Sequence, residues 1–558
     1  MNLHAKLLRR QAEGRPIRVG LIGAGKFGSM YLAQIPRTPG VHLAGIADLS
    51  PDTARANLAR VGWAAERTQA ASLDEALTHG STHVGEDWRL LVQHPAIDVI
   101  VECTGSPVAA VDHCLEAFAQ GKPVRVGLIG AGKFGSMYLA QIPRTPGVHL
   151  AGIADLSPDN ARANLTRVGW APERAQVSSL DSAVKEGTTH IGDDWRALVR
   201  HPAIDVIVEC TGHPIAAVEH CLEAFRHGKP VVNVTVEADA FCGPLLARRA
   251  AEAGVVYSLA FGDQPALICD LVDWARTCGF PVVAAGRGHK WLPHFCESTP
   301  QTVWGHYGLT PEQAERGGLN PKMFNSFLDG SKPSIESTAV ANATGLGVPS
   351  DGLRYPPASI ADIPRVTRPI AEGGVLERKG MVEVISSLEL DGRPIPYDIR
   401  MGVWVTVEGE TDYIRHCFEE YNAHTDPSGR YFTLYKRWHL IGLEVGMSVA
   451  SVALRGEPTG VATGWNADVV ATAKRNLRPG ELLDGEGGYT VWGKLLPAAR
   501  SAQMGGVPLG LAHGVKVVRP VAKGQSLVWD DVEMDTTTDA YKIRRAMEDA
   551  FAPQAQRQ

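Results

Sequence analysis

The sequence lacks most features that would set it apart from ordinary globular protein. No run of about 18 or more consecutive apolar residues occurs, so no transmembrane helix is expected. No apolar core follows the first basic residues. Met1–Pro16, MNLHAKLLRRQAEGRP, reads as a charged amphipathic helix and not as a secretory signal. No basic excess exists: 55 Lys and Arg against 61 Asp and Glu give a net charge of -6, which argues against a nucleic-acid partner. The nine cysteines include no CxxC pair, so neither a disulfide framework nor a zinc site is expected, and reduced cytoplasmic thiols fit better. The chain that remains has 558 residues, 44% hydrophobic and 21% charged, enough for roughly three or four domains. The expectation is a soluble, cytoplasmic protein that handles a small molecule.

The sequence contains part of itself twice. Arg18–Pro123 recurs as Arg125–Pro230, offset by 107 residues without a gap, with 20 differences in 106 positions. Arg18–Asp52 is identical to its counterpart, and later changes are mostly mild, such as Val84/Ile191, Glu86/Asp193, Val108/Ile215 and Asp112/Glu219. Cys103 and Cys210 are equivalent, as are Cys114 and Cys221. The period is too long and the copies too few for a solenoid. Copy two continues into VNVTVEADAF, ending at Phe241, which reads as a further strand and its loop. Copy one stops at Gly121-Lys122-Pro123-Val124 and restarts at once. Copy two is therefore expected to hold the working cofactor, and copy one to fold partly or as an appendage. Unequal recombination without functional meaning accounts for the same pattern.

Each copy opens with an apolar strand running into Gly-x-Gly-x-x-Gly and a helical run, SMYLAQI. The glycines are Gly23, Gly25 and Gly28, then Gly130, Gly132 and Gly135, with Lys133 and Phe134 inside the second loop. The first serves the tight turn, the second the approach of the pyrophosphate, and the third close packing of helix and strand. The helix N-terminus then faces the phosphates. A second strand, VHLAGIAD, ends at Asp48 or Asp155, 20 residues beyond the third glycine, where an acid receives ribose hydroxyls. A third strand, IDVIVECTG, ends in Cys210-Thr211-Gly212 in copy two, a small hydroxyl-bearing turn suited to the nicotinamide ribose. The pattern predicts a Rossmann fold binding NAD or NADP. The acid favours NAD; Arg55 and Arg60 on the next helix keep NADP open.

Beyond copy two, strand-like and helical stretches alternate to about residue 450. Glu237, in VEAD, is placed at the carboxyl edge of the sheet with the cofactor, and Asp263 follows the same logic. Gly288–Gly308 and Asn320–Gly347 are dense in polar and aromatic residues and are the expected seat of chemistry. Hydride transfer at a carbinol or carbonyl needs a proton donor and acceptor, and lysine suits it because burial lowers its pKa. Lys290 and Lys332 are the candidates, with Lys322 third; Asp329, Glu336 and Asn325 would orient the lysine or bind substrate hydroxyls. A surface pair Lys332–Glu336 and a turn at Asp329-Gly330 explain the same spacing. His289, His294 and Glu297 have a spacing that could seat a divalent metal, but Pro293 interrupts it and no metal ligand is assigned.

From about residue 465 the character changes. Arg478-Pro479-Gly480-Glu481, Asp484-Gly485-Glu486-Gly487-Gly488, Lys523-Gly524 and Trp529-Asp530-Asp531-Val532 link short strands. This module is similar to the SAF domain. Together with GLIGAGKFG, ADLSPD, VIVECTG, VNVTVEAD, YSLAFGDQP, TVWGHYGLTPEQ, MFNSFLDG and DGEGGYTVWGKL, the chain resembles homoserine-dehydrogenase-like proteins with a C-terminal SAF domain. These include the 1-deoxy-D-xylulose 5-phosphate reductoisomerase-like oxidoreductases of isoprenoid biosynthesis. The resemblance covers residues 125 to 550. It implies an α/β architecture: a Rossmann domain, here tandemly duplicated in part, an α/β catalytic domain, and a small β-rich SAF-like module. It also implies a homodimer. The expected divisions are 1–124, 125–262, 263–464, 465–540 and a tail 541–558. The expected activity is NAD(P)-dependent oxidoreduction of a small polyhydroxylated, phosphorylated or unphosphorylated, carbonyl or alcohol substrate. A reductoisomerase version would call on a divalent cation. A homoserine dehydrogenase is the alternative, although Gly288–Gly347 lacks a Gly-Thr-Thr-Asn run. The non-enzyme alternative is a dinucleotide-binding sensor or scaffold with the SAF-like module as its ligand face.

Overall fold

A computed structural model describes residues 10–25, 28, 31–32, 35–38, 40–104, 123–316 and 319–555, with side chains as far as Phe551. Most of the helix expected at Met1–Pro16 lies outside these residues, as do 105–122 of copy one, including Val108, Asp112 and Cys114. The chain divides into two compact units, Met1–Pro123 and Val124–Gln558.

Among its described residues the first unit carries four parallel strands, β1 (Ile17–Ile22), β2 (Val41–Ala47), β3 (His83–Gly85) and β4 (Val99–Glu102), in the order β3-β2-β1-β4. The helix Pro51–Arg60 begins where its sequence says it should: Ser50 caps it, accepting from Thr53 N, and proline stands at the first position. Val19, Leu21, Ile46 and Leu58 fill one face of the sheet.

The second unit repeats these elements and completes them. Its strands β5 (Val124–Ile129), β6 (Val148–Ala154), β7 (His190–Gly192), β8 (Val206–Glu209), β9 (Val231–Asn233) and β10 (Tyr257–Leu259) form one parallel sheet, order β10-β9-β8-β5-β6-β7. Strand order reverses between β5 and β8, which opens a crevice at their carboxyl ends. Helices α1 (Lys133–Gln141), α2 (Pro214–Arg226), α3 (Val236–Glu252) and α4 (Gln264–Thr277) belong to this unit. Apolar clusters cover both faces of the sheet, which is why Val206, Ile207 and Val208 of β8 are successive apolar residues. VNVTVEADAF is not strand and loop: the strand ends at Asn233, and Val236 already opens α3.

The two copies differ in their next neighbour. In the second unit β9 covers β8, and Val206 is fully buried. In the first unit β4 pairs only with β1 among the described residues, and the equivalent Val99 is 44% exposed.

A second sheet holds β11 (Val282–His289), β12 (Met381–Ser386), β13 (Val403–Glu408) and β14 (Tyr431–Lys436), order β12-β11-β13-β14. Helices α5 (Pro321–Leu328) and α6 (Ser331–Thr344) precede β12. Helix α6 is buried from Ser331 to Asn342 despite its polar sequence. The C-terminal region is small and β-rich. It comprises β15 (Ala467–Ala473), β16 (Leu482–Asp484), β17 (Val491–Pro497), β18 (His513–Val517) and β19 (Val532–Glu533), with β15 paired to β17 and β16-β18-β19 in a second sheet. The final helix α7 (Asp539–Ala555) returns to the dinucleotide domain: the buried Arg544 pairs with Asp468 and donates to the Phe241 carbonyl at 3.0 Å. Among the described residues no helix is long and apolar enough to cross a membrane.

Candidate active site

The glycine loop of the second unit is shaped for a ligand at one position in particular. Gly130 has φ +90°, and a Cβ there would fall 2.9 Å from the Cys210 carbonyl carbon. A Cβ on Gly135 would collide with the Gly130 carbonyl oxygen. Both glycines are therefore demanded by the fold itself. Gly132 is not. Its φ is -66°, and a Cβ there would meet nothing within 4 Å. That open space at the start of α1 is where a pyrophosphate approaches backbone.

Asp155 is bound into the loop more firmly than its sequence position suggested. Its Oδ2 accepts from Ala131 N and its Oδ1 from Ser157 N, each at 2.8 Å. The carboxylate braces the glycine loop and retains lone pairs for ribose hydroxyls. Neither arginine of the following helix is free beside it: Arg162 pairs with Asp159, and Arg167 donates to Ser136 Oγ and Asn164 Oδ1. Lys133 stands over the Phe324 ring, 5.5 Å from its centroid, and Phe134 packs on the core beneath β5.

The strand ends lead from this loop toward the second sheet. Cys210 is buried, and burial beside Glu209 pushes its thiol well up, so it packs as a neutral group. Thr211 Oγ1 donates to Glu209 Oε1 at 2.6 Å, and Gly212 N donates to Thr235 Oγ1 at 2.9 Å. Two residues on, Glu237 lies in the first turn of α3 and forms an ion pair with Lys332. Asp263, at the carboxyl end of β10, caps α4 by accepting from Gln264 N at 2.9 Å.

Lys332 corrects one expectation directly. Burial alone lowers a lysine, but the carboxylates of Glu237, Asp263 and Glu486 outweigh it and hold the ammonium above its ordinary value. Lys332 is thus held as an ammonium and is not made neutral by burial. Lys290 follows the anticipated direction, lowered by burial and by Arg400. Its Nζ donates to the His306 carbonyl at 2.6 Å.

The neighbours anticipated for Lys332 are engaged elsewhere. Asp329 is fully buried, with Oδ2 paired to Lys474 Nζ at 2.7 Å and Oδ1 accepting from Ser331 N. Glu336 forms a buried ion pair with Arg287 of β11. Asn325 accepts from Ser298 Oγ at 2.7 Å and donates to the carbonyls of Ser298 and Gly487. These three residues fasten α5 and α6 to their surroundings, because buried polar groups must find partners. Lys322 donates to the Asp484 carbonyl.

The histidines set out for a metal do not converge. His289 Nε2 donates to the Phe327 carbonyl at 2.6 Å, and burial, helped by Arg287, pushes the ring down to about 3. His294 stacks edge-on against Phe295, and Glu297 pairs with Lys523. Among the described residues no group of three or more His, Cys, Asp or Glu is placed to hold a metal ion.

Three participants were not singled out in the sequence. Glu486, from the C-terminal β-rich region, is pushed up to about 8 by burial and by Glu237. His439 is lowered by burial and faces Arg287 and Asp263, and its ring nitrogen Nδ1 donates to the Met401 carbonyl at 2.7 Å. Arg287 is lowered to about 10 by burial. None carried a local signal, since each joins the cluster through chain distant in sequence.

Comparison with known proteins gives two family matches. Residues 262–445 match the family described as oxidoreductase DRL, catalytic domain, and residues 130–258 match the NAD-binding domain of homoserine dehydrogenase. The chain therefore carries a homoserine-dehydrogenase-type NAD-binding domain followed by a DRL-type oxidoreductase catalytic domain. The match to the NAD-binding domain lies on copy two, where Gly130, Gly132 and Gly135 stand. NAD(P) is the cofactor of this DRL-like oxidoreductase. Among solved structures, it is similar to scyllo-inositol dehydrogenase from Lactobacillus casei, at 14% identity over 61% of this chain and 91% of that one, TM-score 0.31. It is also similar to homoserine dehydrogenase from Thiobacillus denitrificans, at 20% identity over 40% of this chain and 50% of that one, TM-score 0.28. No curated protein matches the chain in sequence.

Proposed function

We propose that the chain catalyses NAD(P)-dependent hydride transfer at a carbinol or carbonyl carbon of a small polyhydroxylated substrate, with Lys332 carrying the proton. The observation that supports this reading is the Lys332 ammonium, held among Glu237, Asp263 and Glu486 where β9 and β10 end. In the reductive direction Lys332 donates to the oxygen that gains charge as hydride arrives, and Glu237 positions its Nζ. In the oxidative direction the same nitrogen recovers the proton.

The substrate class follows from charge. Arg400 lowers both Lys290 and His289, each of which is already lowered by burial. His306 is lowered by burial and then by His294 and Lys290. A substrate phosphate or carboxylate entering there relieves this like-charge repulsion. We therefore favour phosphorylated polyhydroxy compounds, with a place in isoprenoid-precursor synthesis resting on the family resemblance.

Steady-state turnover tests the reading. A panel of ketose and aldose phosphates, their unphosphorylated forms and homoserine is assayed with NADH and NADPH and with the oxidised cofactors. Faster turnover of phosphorylated members is expected, and Lys332→Met is expected to lower kcat roughly 10²–10⁴-fold. Turnover of homoserine alone refutes the substrate class. Full kcat in Lys332→Met refutes the assigned role.

A further inference from the structure

His439 stands where the two sheets of the second unit come together. Contacts on three sides fix the loop that carries it, residues 437–445 after β14. Gly262, the residue before Asp263, has φ +94°, and a Cβ there would fall 2.7 Å from Glu444 Cβ and 3.1 Å from the Leu440 carbonyl oxygen. Gly442 has φ +79°, and a Cβ there would fall 2.9 Å from the carbonyl oxygen of Phe134, in the first turn of α1. The Met401 carbonyl, just before β13, accepts from the His439 backbone N–H at 3.0 Å. Lys436 pairs with Glu444 at 2.8 Å and closes the loop at its base. The loop therefore touches the carboxyl end of β10, the start of the cofactor helix and the catalytic sheet.

Within this loop the imidazole is drawn inward. Trp438 is 60% exposed and Leu440 50%, whereas His439 between them is half-buried. Its Nδ1 donates to the same Met401 carbonyl at 2.7 Å. That bond fixes the tautomer: the proton sits on Nδ1, and Nε2 of the neutral ring is a bare acceptor. Burial, with Arg287 beside the ring, holds it below its ordinary value against the opposing pull of the Met401 carbonyl, Asp263 and Glu444. Among the described residues no group bonds Nε2.

One carboxylate relates His439 to the proton site. Asp263 faces both Lys332 and His439, while its Oδ1 caps α4. On one side stands an ammonium, which only donates. On the other stands a neutral ring nitrogen, Nε2, which only accepts. A carbonyl oxygen that gains charge during reduction is served by the donor and offers nothing to the acceptor. The acceptor calls for a second substrate group that carries a proton. A hydroxyl is such a group, and it supplies the missing donor without placing another charge beside Asp263.

We infer that His439 is a substrate-binding residue whose Nε2 accepts a hydrogen bond from the hydroxyl on the carbon next to the reacting carbonyl. It selects α-hydroxy aldehydes and ketones, and vicinal diols in the reverse direction, over their deoxy analogues. Lys332 and His439 face one carboxylate, so the two oxygens they hold belong to neighbouring carbons. A deoxy compound leaves the half-buried acceptor without a donor, which weakens its binding about tenfold or more. The inference rests on the assignment of Lys332 to the reacting oxygen and narrows the substrate class further than charge does.

Ribose 5-phosphate and 2-deoxyribose 5-phosphate test it, since they differ only in that hydroxyl. Each is titrated calorimetrically into the full chain saturated with oxidised cofactor, where no reduction occurs, and each is assayed for reduction with NADH and NADPH. His439→Asn keeps a donor for the Met401 carbonyl and lacks Nε2, whereas His439→Gln sets an amide oxygen near the Nε2 position. The unaltered protein is expected to favour ribose 5-phosphate about tenfold or more. His439→Asn is expected to bind the two sugars alike, by weakening ribose 5-phosphate alone and raising its KM rather than lowering kcat. His439→Gln is expected to restore most of the preference. Thermal melting checks that the variants fold, and the preference of the unaltered protein decides the matter even if one does not. Equal binding of the two sugars by the unaltered protein, or a preference unchanged in His439→Asn, overturns the inference; reduction of both sugars then leaves the hydride-transfer reading standing. Failure to bind or reduce either sugar also overturns it, and absence of turnover with every carbonyl compound of the wider panel overturns both readings.

Discussion

Lys332 pairs with Glu237, 95 residues earlier in the chain, and not with Glu336 one turn further along its own helix. The pairing joins the first turn after the dinucleotide sheet to helix α6 of the catalytic domain. Glu336 pairs with Arg287 of β11 instead.

Replacing Glu237 by glutamine removes one of the charges that keep Lys332 protonated. The lysine pKa then falls, by roughly one to three units for loss of an adjacent opposite charge. In the reductive direction the high-pH limb of kcat moves to lower pH in Glu237→Gln. A kcat–pH profile with an unmoved limb removes Lys332 from the proton-transfer step.

Glu486 supplies a second titration. With its carboxyl pushed up to about 8, it is neutral at pH 7 and gains charge above that value. The new charge tightens the hold of Lys332 on its proton and slows donation. An inflection near pH 8 in the reductive kcat of the unaltered protein, absent in Glu486→Gln, is the expected result.

Asp239 governs a pH dependence of stability. It is buried, takes a hydrogen bond from Tyr257, and burial pushes it up to about 7. An acid raised on folding stabilises the native state fully below its unfolded value, near 4, and that contribution is lost as pH rises to about 7. Asp239→Asn carries no such charge. The melting temperature of the variant relative to the unaltered protein is expected to rise between about pH 4 and pH 8; a constant difference would show that Asp239 does not titrate in this range.

Val99 and Val206 sit in the same local sequence, IDVIVECTG, with different neighbours. Val206→Ala removes a buried side chain and costs about 1–2 kcal/mol in the second unit. Val99→Ala, 44% exposed, costs under about 0.5 kcal/mol in the first. Hydrogen exchange followed on peptides that span each strand separates the two effects.

Asp155 is expected to set cofactor choice by repelling a 2′-phosphate. Asp155→Asn keeps an acceptor for the Ala131 N–H while removing the charge. The ratio of kcat/KM for NADP over NAD then rises, and an unchanged ratio places cofactor discrimination elsewhere.

The dinucleotide fold was legible because its signal is local. Gly130, Gly132, Gly135 and Asp155 lie within one βαβ stretch, and their backbone roles follow from spacing. The catalytic cluster was only half legible. Lys332 and Glu237 were both recognisable as candidates, but their pairing spans separate domains and no periodicity announces it. Asp329 and Asn325 looked like substrate ligands because polar residues crowd that stretch. Their real partners, Lys474, Ser298 and Gly487, become neighbours only once the C-terminal strands pack against α5 and α6. His439 was missed for the same reason: it reaches the site along the loop after β14.

The position of Glu486 also constrains the gene. A stop codon between residues 446 and 474 would spare the whole match to the DRL catalytic domain. It would nevertheless delete Glu486 from beside Lys332 and Lys474 from beside the buried Asp329. A shortened reading frame of this kind would encode a protein with an intact catalytic-domain sequence and a dismantled proton site. The cluster around Lys332 and Asp329 therefore depends on Lys474 and Glu486, two residues outside the segment that matches the catalytic-domain family.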